Sequence, residues 1–318
     1  MRPALLLAAF AIGASMLAVA HADDGFVYVA GADWRPATDE VVIDSRPLAD
    51  CKQATLPNAR CLPADGFLGP HRSLPSERDI LWLLGTAGLD GSEAVLVVGQ
   101  DAVTRDFLAG LLYLAGQRQV RVLTEPLTHV LAGRSDAAPG QERGIIRTAV
   151  FTAPMRAERV VLKQELLHES TGVTLVDGRS ELDYWGETAR AARGGHLPGA
   201  VLLPATTLAV AGPRPVLPSG VFIAYAHDAY EGLAYFTRLA AGYGLLARVY
   251  TGGWAEWAAD GSLPVDAVTY PERRTETLVA VPPAPTPDTS RAVLMLAAAV
   301  ALLAAFAGGW YFSTRKVA

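Results

Sequence analysis

The chain has 318 residues, room for two domains of ordinary size. Hydrophobic residues make up 51% of it and the mean hydropathy is +0.24, high for a soluble protein, with the excess gathered at the two ends. Arg2, Arg291, Arg315 and Lys316 are the only charges of those ends, so residues 23–290 carry 23 basic against 32 acidic groups, a formal −9, which disfavours a nucleic-acid partner and docking on anionic lipid.

Residues 1–22 run from Arg2 through an apolar stretch to Ala20-His21-Ala22, just before Asp23-Asp24. That charged, apolar, small-x-small order is that of a cleaved secretory signal. Val41–Asp44 then reads as a buried parallel strand, closed by D-S-R (44–46). Cys51 falls in a helix, and Cys61 follows the turn T-L-P-N-A (55–59). In an oxidising compartment two cysteines this close read as a structural disulfide, with two free thiols or a sulfur-carrying role as alternatives. Ala94–Val98 and Val120–Leu123 read as further buried strands. Between them Phe107-Leu108, Leu111-Leu112 and Leu114-Ala115 form a helical stripe. The polar, Gly- and Pro-containing stretch 135–144 separates two halves.

The second half repeats the first. T-L-V-D-G-R-S (174–180) answers V-V-I-D-S-R-P (41–47), and H-L-P-G-A (196–200) answers T-L-P-N-A. Gly99 to Thr124 matches Ala226 to Thr251 without a gap. The economical reading is two copies of one α/β unit, over residues 25–135 and 150–270, each a parallel sheet flanked by helices. Ligands in such sheets bind at the carboxyl ends of strands. That rule places Asp44–Arg46, Gly99–Thr104, Asp177–Arg179 and Ala226–Glu231 around two clefts. Residues 271–290 form a proline-rich linker, with four prolines in 281–290. Ala292 to Phe312 is an apolar stretch of 21 residues, long enough to span a bilayer, and the basic tail 313–318 favours a cytoplasmic C-terminus. The expectation is a single-pass protein of the inner membrane with its bulk in the periplasm.

D-G-R at 177–179, G-H-L-P-G-A at 195–200, the strand and loop at 221–231 and T-G-G-W-A-E-W at 251–257 together resemble the rhodanese family in its tandem, two-domain sulfurtransferase form. Tyr184-Trp185-Gly186 and the polar insert after it add to the likeness, which extends over about 35–270. The first half departs more, with Thr55 and Asn58 in its H-x-P-G-A and Glu125-Pro126 in place of its G-G. The resemblance implies a cysteine at the start of the loop after the fourth strand, which carries sulfane sulfur as a persulfide. That position is Ala226 in the second half and Gly99 in the first, and neither can attack sulfur. The loop also holds Asp228 and Glu231. At 4–6 Å each would repel an anionic donor by roughly 3–4 kcal/mol at an effective dielectric of 20.

Within the degenerate loop Ala226, His227, Asp228, Ala229, Tyr230, Glu231, the resemblance points Arg179 from the Asp177 turn towards the loop. There it is expected to pair with Asp228 or Glu231, while Arg46 has Asp101 as its candidate partner. His196 reads as a structural histidine, and Trp254 and Trp257 as packing residues. Tyr230, at the loop tip, is a candidate exposed anchor for a partner. No cofactor is called for, and the spacing of His196, His227, Asp228 and Glu231 matches no metal signature. The leading reading is a pseudoenzyme: an exported, membrane-tethered binding or scaffold module in sulfur-related metabolism, whose cleft takes a protein partner or small ligand. The alternative is a sulfurtransferase that works through a non-standard or partner thiol.

Overall fold

The computed structural model describes residues 25–31, 34, 39–168, 172–208, 217 and 220–267. The expected signal 1–22, linker 271–290, membrane span 292–312 and tail 313–318 lie outside the described residues. Among those described, no helix is long and apolar enough to cross a membrane.

Short Val/Ile/Leu runs make the strands. In the first half these are β1 (Phe26–Val29), β2 (Glu40–Asp44), β3 (Arg60–Cys61), β4 (Ala94–Val98), β5 (Gln119–Leu123) and β6 (Gln141–Glu142). They pair in the order β1-β5-β4-β2-β3-β6, every ladder parallel. The second half gives β7 (Val160–Val161), β8 (Val173–Asp177), β9 (Val201–Leu202), β10 (Val221–Tyr225) and β11 (Leu246–Tyr250), in the order β7-β11-β10-β8-β9, again parallel. The two sheets share one strand order, except that β6 is added to the first. β6 lies inside the polar stretch expected to separate the halves, so the first sheet runs past residue 135. β4 and β10 sit centrally and are buried along nearly their whole length, as a strand covered on both faces must be.

The helices are α1 (Leu48–Gln53), α2 (Glu77–Thr86), α3 (Ala102–Leu114), α4 (Leu127–Leu131), α5 (Lys163–Leu166), α6 (Glu181–Trp185), α7 (Ala229–Thr237) and α8 (Gly253–Ala259). Ser76, Asp101, Ser180 and Asp228 cap α2, α3, α6 and α7, each side chain accepting a backbone N–H of the first turn.

The two halves pack as one compact unit, to which all described residues belong. The reason is α3 and α7, which follow equivalent strands and pack against each other. Arg105 to Leu114 are all buried, because α3 lies between its own sheet and α7. Gly110 allows the close approach. A Cβ there would lie 2.6 Å from Thr237 Oγ1 and 3.0 Å from the Leu233 carbonyl oxygen. One apolar core therefore runs through both halves, with Phe26 stacked on Tyr113 at 4.3 Å and Phe236 beside both rings. Asp106 lies in this seam, bonded to Arg105 (3.2 Å) and Arg238 (3.2 Å). Burial pushes its carboxyl above the ordinary range, and the two guanidiniums offset only part of that.

Cys51 in α1 and Cys61 in β3 are joined by a disulfide, and both are buried. Gly140 lies directly on it; a Cβ there would come within 2.6 Å of both sulfurs. Its N–H donates to the Cys51 carbonyl (3.0 Å). Opening this loop of about ten residues, by reduction or by Cys51→Ser with Cys61→Ser, is expected to lower stability by about 2–3 kcal/mol, read from urea unfolding midpoints.

Candidate functional site

The second-half cleft opens where β8, β10 and β11 end. β8 closes on Asp177, and Gly178 follows without a side chain because a Cβ would strike the Tyr235 ring at 2.6 Å. That turn folds Arg179 back onto Asp177. Nε lies 2.9 Å from Oδ1 and Nη2 2.6 Å from Oδ2, and Nη2 also donates to the Gly195 carbonyl (2.8 Å). Tyr225 donates its hydroxyl to the same carboxylate (2.6 Å) and receives the Leu197 N–H. The guanidinium lies 4.8 Å over the Trp254 ring. Burial works against its charge, but the Asp177 carboxylate holds its pKa above the ordinary arginine value. Burial and Asp177 together push the Tyr225 hydroxyl well above the usual tyrosine range.

Arg179 therefore does not reach Asp228 or Glu231, as the sequence reading expected; it is spent beneath the loop, 3% exposed. The first half corrects the reading in the same way. Arg46 pairs with Asp44 (Nη2 to Oδ2, 2.7 Å) and the Ala54 carbonyl (2.6 Å), not with Asp101, which caps α3. In D-x-R the two-residue spacing closes the pair on itself before any distant carboxylate can compete.

The loop sits on this base. The Ala226 and His227 carbonyls accept the N–H groups of Trp254 and Ala255, both at 2.8 Å. Gly253 makes that docking possible: its φ is +58°, and a Cβ would lie 2.8 Å from each carbonyl oxygen. Ala226, His227 and Ala229 are buried. Asp228 accepts the Glu231 N–H (3.0 Å) as the α7 cap.

Three side chains close the mouth, and none was foreseen from sequence. Arg190, from the polar insert after α6, holds Glu231 through two 3.0 Å bonds and brings Nε to 3.0 Å from His227 Nε2. The same ring nitrogen lies 3.2 Å from Asp183 Oδ2. Arg72, from the first half, lies 4.6 Å over the Tyr230 ring and 4.0 Å from Asp228 Oδ2. His71 and Arg72 both have φ of +55°, a left-handed pair without glycine. Burial pushes the Glu231 carboxyl above the ordinary glutamate range in spite of Arg190. The anion-repelling loop expected from Asp228 and Glu231 is thus a mouth of alternating charge.

Tyr230 is corrected too. It is not an exposed tip but a tie between the halves: its hydroxyl lies 2.7 Å from Thr104 Oγ1, and its ring packs on Phe107 at 5.1 Å. Trp254 and Trp257 are buried, with their indole N–H groups on the Arg193 and Pro264 carbonyls. His196 stacks on Tyr184 at 3.6 Å and its Nδ1 lies 2.8 Å from the Tyr184 carbonyl oxygen. Among the described residues no group of three His, Cys, Asp or Glu side chains could hold a metal ion.

In the first half, Gly99 stands at the start of the matching loop. A Cβ there would lie 2.3 Å from Ser45 Oγ, so a side chain at this position requires the Ser45 hydroxyl to leave the Val98 carbonyl (3.0 Å). The two loop-start positions, Gly99 and Ala226, carry no nucleophilic side chain, and the charged groups of the second-half mouth can hold a ligand by charge and hydrogen bonding.

Residues 161–260 match the Rhodanese-like domain family, and so form a rhodanese-like domain. Among curated proteins none matches the sequence. Three solved structures show the same fold at low identity. An EanB variant in complex with ergothioneine is 21% identical with a TM-score of 0.59, over 74% of this chain and 66% of that one. The anaerobic ergothioneine biosynthesis enzyme from Chlorobium limicola, in complex with trimethyl histidine, is 20% identical with a TM-score of 0.59 and the same coverage. A probable thiosulfate sulfurtransferase is 23% identical with a TM-score of 0.55, over 73% of this chain and 100% of that one. This chain spans just under two thirds of the ergothioneine enzymes' length.

Proposed function

We propose that this chain, built around a rhodanese-like domain, is a tandem rhodanese-like protein without sulfurtransferase activity, whose second-half cleft serves as a binding or scaffold module in sulfur-related metabolism. The observation that carries the proposal is the state of every cysteine position. Ala226 offers a buried methyl and Gly99 offers no side chain. The only two cysteines in the sequence are bonded to each other. No thiolate is left to accept sulfane sulfur. The tandem reading is supported by the shared strand order and by the same Asp-x-Arg closure in each half. The signal-like residues 1–22 and the apolar stretch 292–312 support export and a single membrane tether, with residues 25–267 outside the inner membrane. The cleft's occupant meets Arg72, Arg190, Asp183, Asp228 and Glu231 together, so a ligand or protein loop carrying both signs of charge fits it better than a simple anion.

A second reading keeps sulfur transfer and supplies the thiol from a partner protein. The retained frame of Asp177, Arg179, Gly253 and Trp254 favours it, although the same residues hold the fold whatever the chemistry.

The test is thiocyanate formation from thiosulfate and cyanide by the purified full-length chain in detergent, with and without prior reduction. No turnover in either state is expected. Turnover that appears only after reduction and is lost in Cys51→Ser or Cys61→Ser would overturn the proposal. Turnover that needs an added thiol protein would favour the second reading.

A further inference from the structure

Away from the cleft, one face of the first half carries exposed apolar groups in a fixed setting. α2 buries Ile80 and Leu84 but leaves Trp82 42% exposed. Beside it runs a turn pinned at both ends. The Gly144 N–H donates to the Thr86 carbonyl (2.9 Å), and the Thr148 and Ala149 N–H groups donate to the Gly85 carbonyl (3.1 and 3.2 Å). Between those pins Ile145 and Ile146 project, 92% and 76% exposed. Two large adjacent aliphatic side chains held out on a hydrogen-bonded turn are unusual on a monomer's surface.

Trp82 is the ridge between two grooves. One, of about 550 Å³, is mainly apolar, with Leu62, Phe67, Leu83 and Ile145 in its lining and Asp65, Glu142 and Arg143 as its charged groups. The other, of about 660 Å³, is lined by Leu81, Phe151, Arg78, Arg147 and Glu77. The guanidiniums of Arg78, Arg143 and Arg147 make no ion pair or hydrogen bond to any described residue. The neighbouring acids are engaged: Glu142 with Lys52 (2.9 Å) and Asp79 with the Ser76 hydroxyl (2.7 Å). Glu77 remains, in the first turn of α2, where the helix dipole suits it. The larger groove therefore has a surplus of unpaired guanidinium on a body whose formal charge is −9 over residues 23–290.

We infer that the face made by Trp82, the Ile145–Ile146 turn, Arg78 and Arg147 is a docking surface for an acidic, apolar segment of a partner protein. The segment lays a bulky apolar side chain in the smaller groove and carboxylates against Arg78 and Arg147, with Trp82 between them as the buried anchor. A bilayer is a poorer occupant. It cannot fill two concave grooves, and an anionic one is repelled by the body's charge. The inference does not rest on the cleft or on its lost chemistry.

The experiment is selection of random peptides displayed on phage against the full-length chain in detergent, with counter-selection on the Arg78→Glu, Arg147→Glu variant. Enriched peptides should combine Asp or Glu with Leu, Ile or Phe, and weaken as salt rises. Their affinity should fall by about tenfold or more in Trp82→Ala and in the charge-reversed variant. All three substitutions are at exposed side chains, and Ile145→Ser with Ile146→Ser gives a second variant that leaves α2 untouched. Basic or motif-free peptides, or peptides that bind all variants equally, would overturn the inference. So would a lipid contact: a fluorophore on Ile146→Cys, in the chain reconstituted into phosphatidylcholine–phosphatidylglycerol vesicles, shielded from an aqueous quencher with no peptide present.

Discussion

Asp177→Ala is expected to lower the stability of the folded chain by about 3–5 kcal/mol, the largest effect of any single side-chain truncation near the cleft. Asp177 is fully buried, and four donor groups converge on it: the backbone N–H, Nε and Nη2 of Arg179, and the Tyr225 hydroxyl. Truncation leaves the Arg179 guanidinium, whose side chain is 1% exposed, with only the Gly195 carbonyl and two aromatic faces. The Tyr225 hydroxyl loses its acceptor as well. Most of the cost is this stranded charge, so removing both partners together, as in Asp177→Leu with Arg179→Met, should be milder than the single change. The Arg190–Glu231 pair supplies the control. Its arginine side chain is 56% exposed, so Glu231→Gln should cost less than about 1 kcal/mol. Urea unfolding of the three variants beside the parent chain decides the matter. Equal losses from Asp177→Ala and Glu231→Gln would show that the buried pair is not the keystone of the loop.

Gly110→Val is expected to drive α3 and α7 apart at a cost of about 3 kcal/mol. The first carbon of the new side chain would already meet Thr237 Oγ1 at 2.6 Å and the Leu233 backbone at 3.0 Å. Backbone cannot yield as a side chain can, so the helices must separate. Separation would break the Thr237 hydroxyl's bond to the Asp106 carbonyl (2.7 Å) and pull Tyr230 from Thr104. Gly110→Ala should be milder, because the better helix propensity of alanine returns about 1 kcal/mol. Scanning calorimetry is the measurement. An unchanged Tm for Gly110→Val would mean that the two halves do not depend on this seam.

Much of this was legible in the chain itself. Val41–Asp44, Ala94–Val98 and Val120–Leu123 lie in β2, β4 and β5 within a residue of their expected ends, because buried parallel strands are written as unbroken β-branched and aliphatic runs. The gapless match of 99–124 to 226–251 covers the same loop, helix and strand in both halves. Pairings at a distance were not legible. Arg190 meets Glu231 across 41 residues and Tyr230 meets Thr104 across 126, and neither partner carries a local mark. Arg179 departs from the expected pairing for the opposite reason: its partner Asp177 stands two residues away, inside the D-G-R motif itself. That α3 is buried almost all round follows from a second helix on its outer face, which periodicity in one segment cannot announce.

The bed beneath Gly140 bears on something other than stability. Without β6, the backbone of β3 would be the open margin of the first sheet, a row of unpaired groups able to recruit another chain. β6 is only two residues long, both exposed, and carries Glu142 paired with Lys52, so the margin it offers in turn is short and charged. What keeps that guard in place is the loop closed by Cys51 and Cys61. Residues 138–142 lie along it through the Thr55–Ala138 bridge and the bonds of Gly140 and Gln141. The Cys51–Cys61 bond thus closes the loop that holds a blunt strand over an edge able to invite a neighbour.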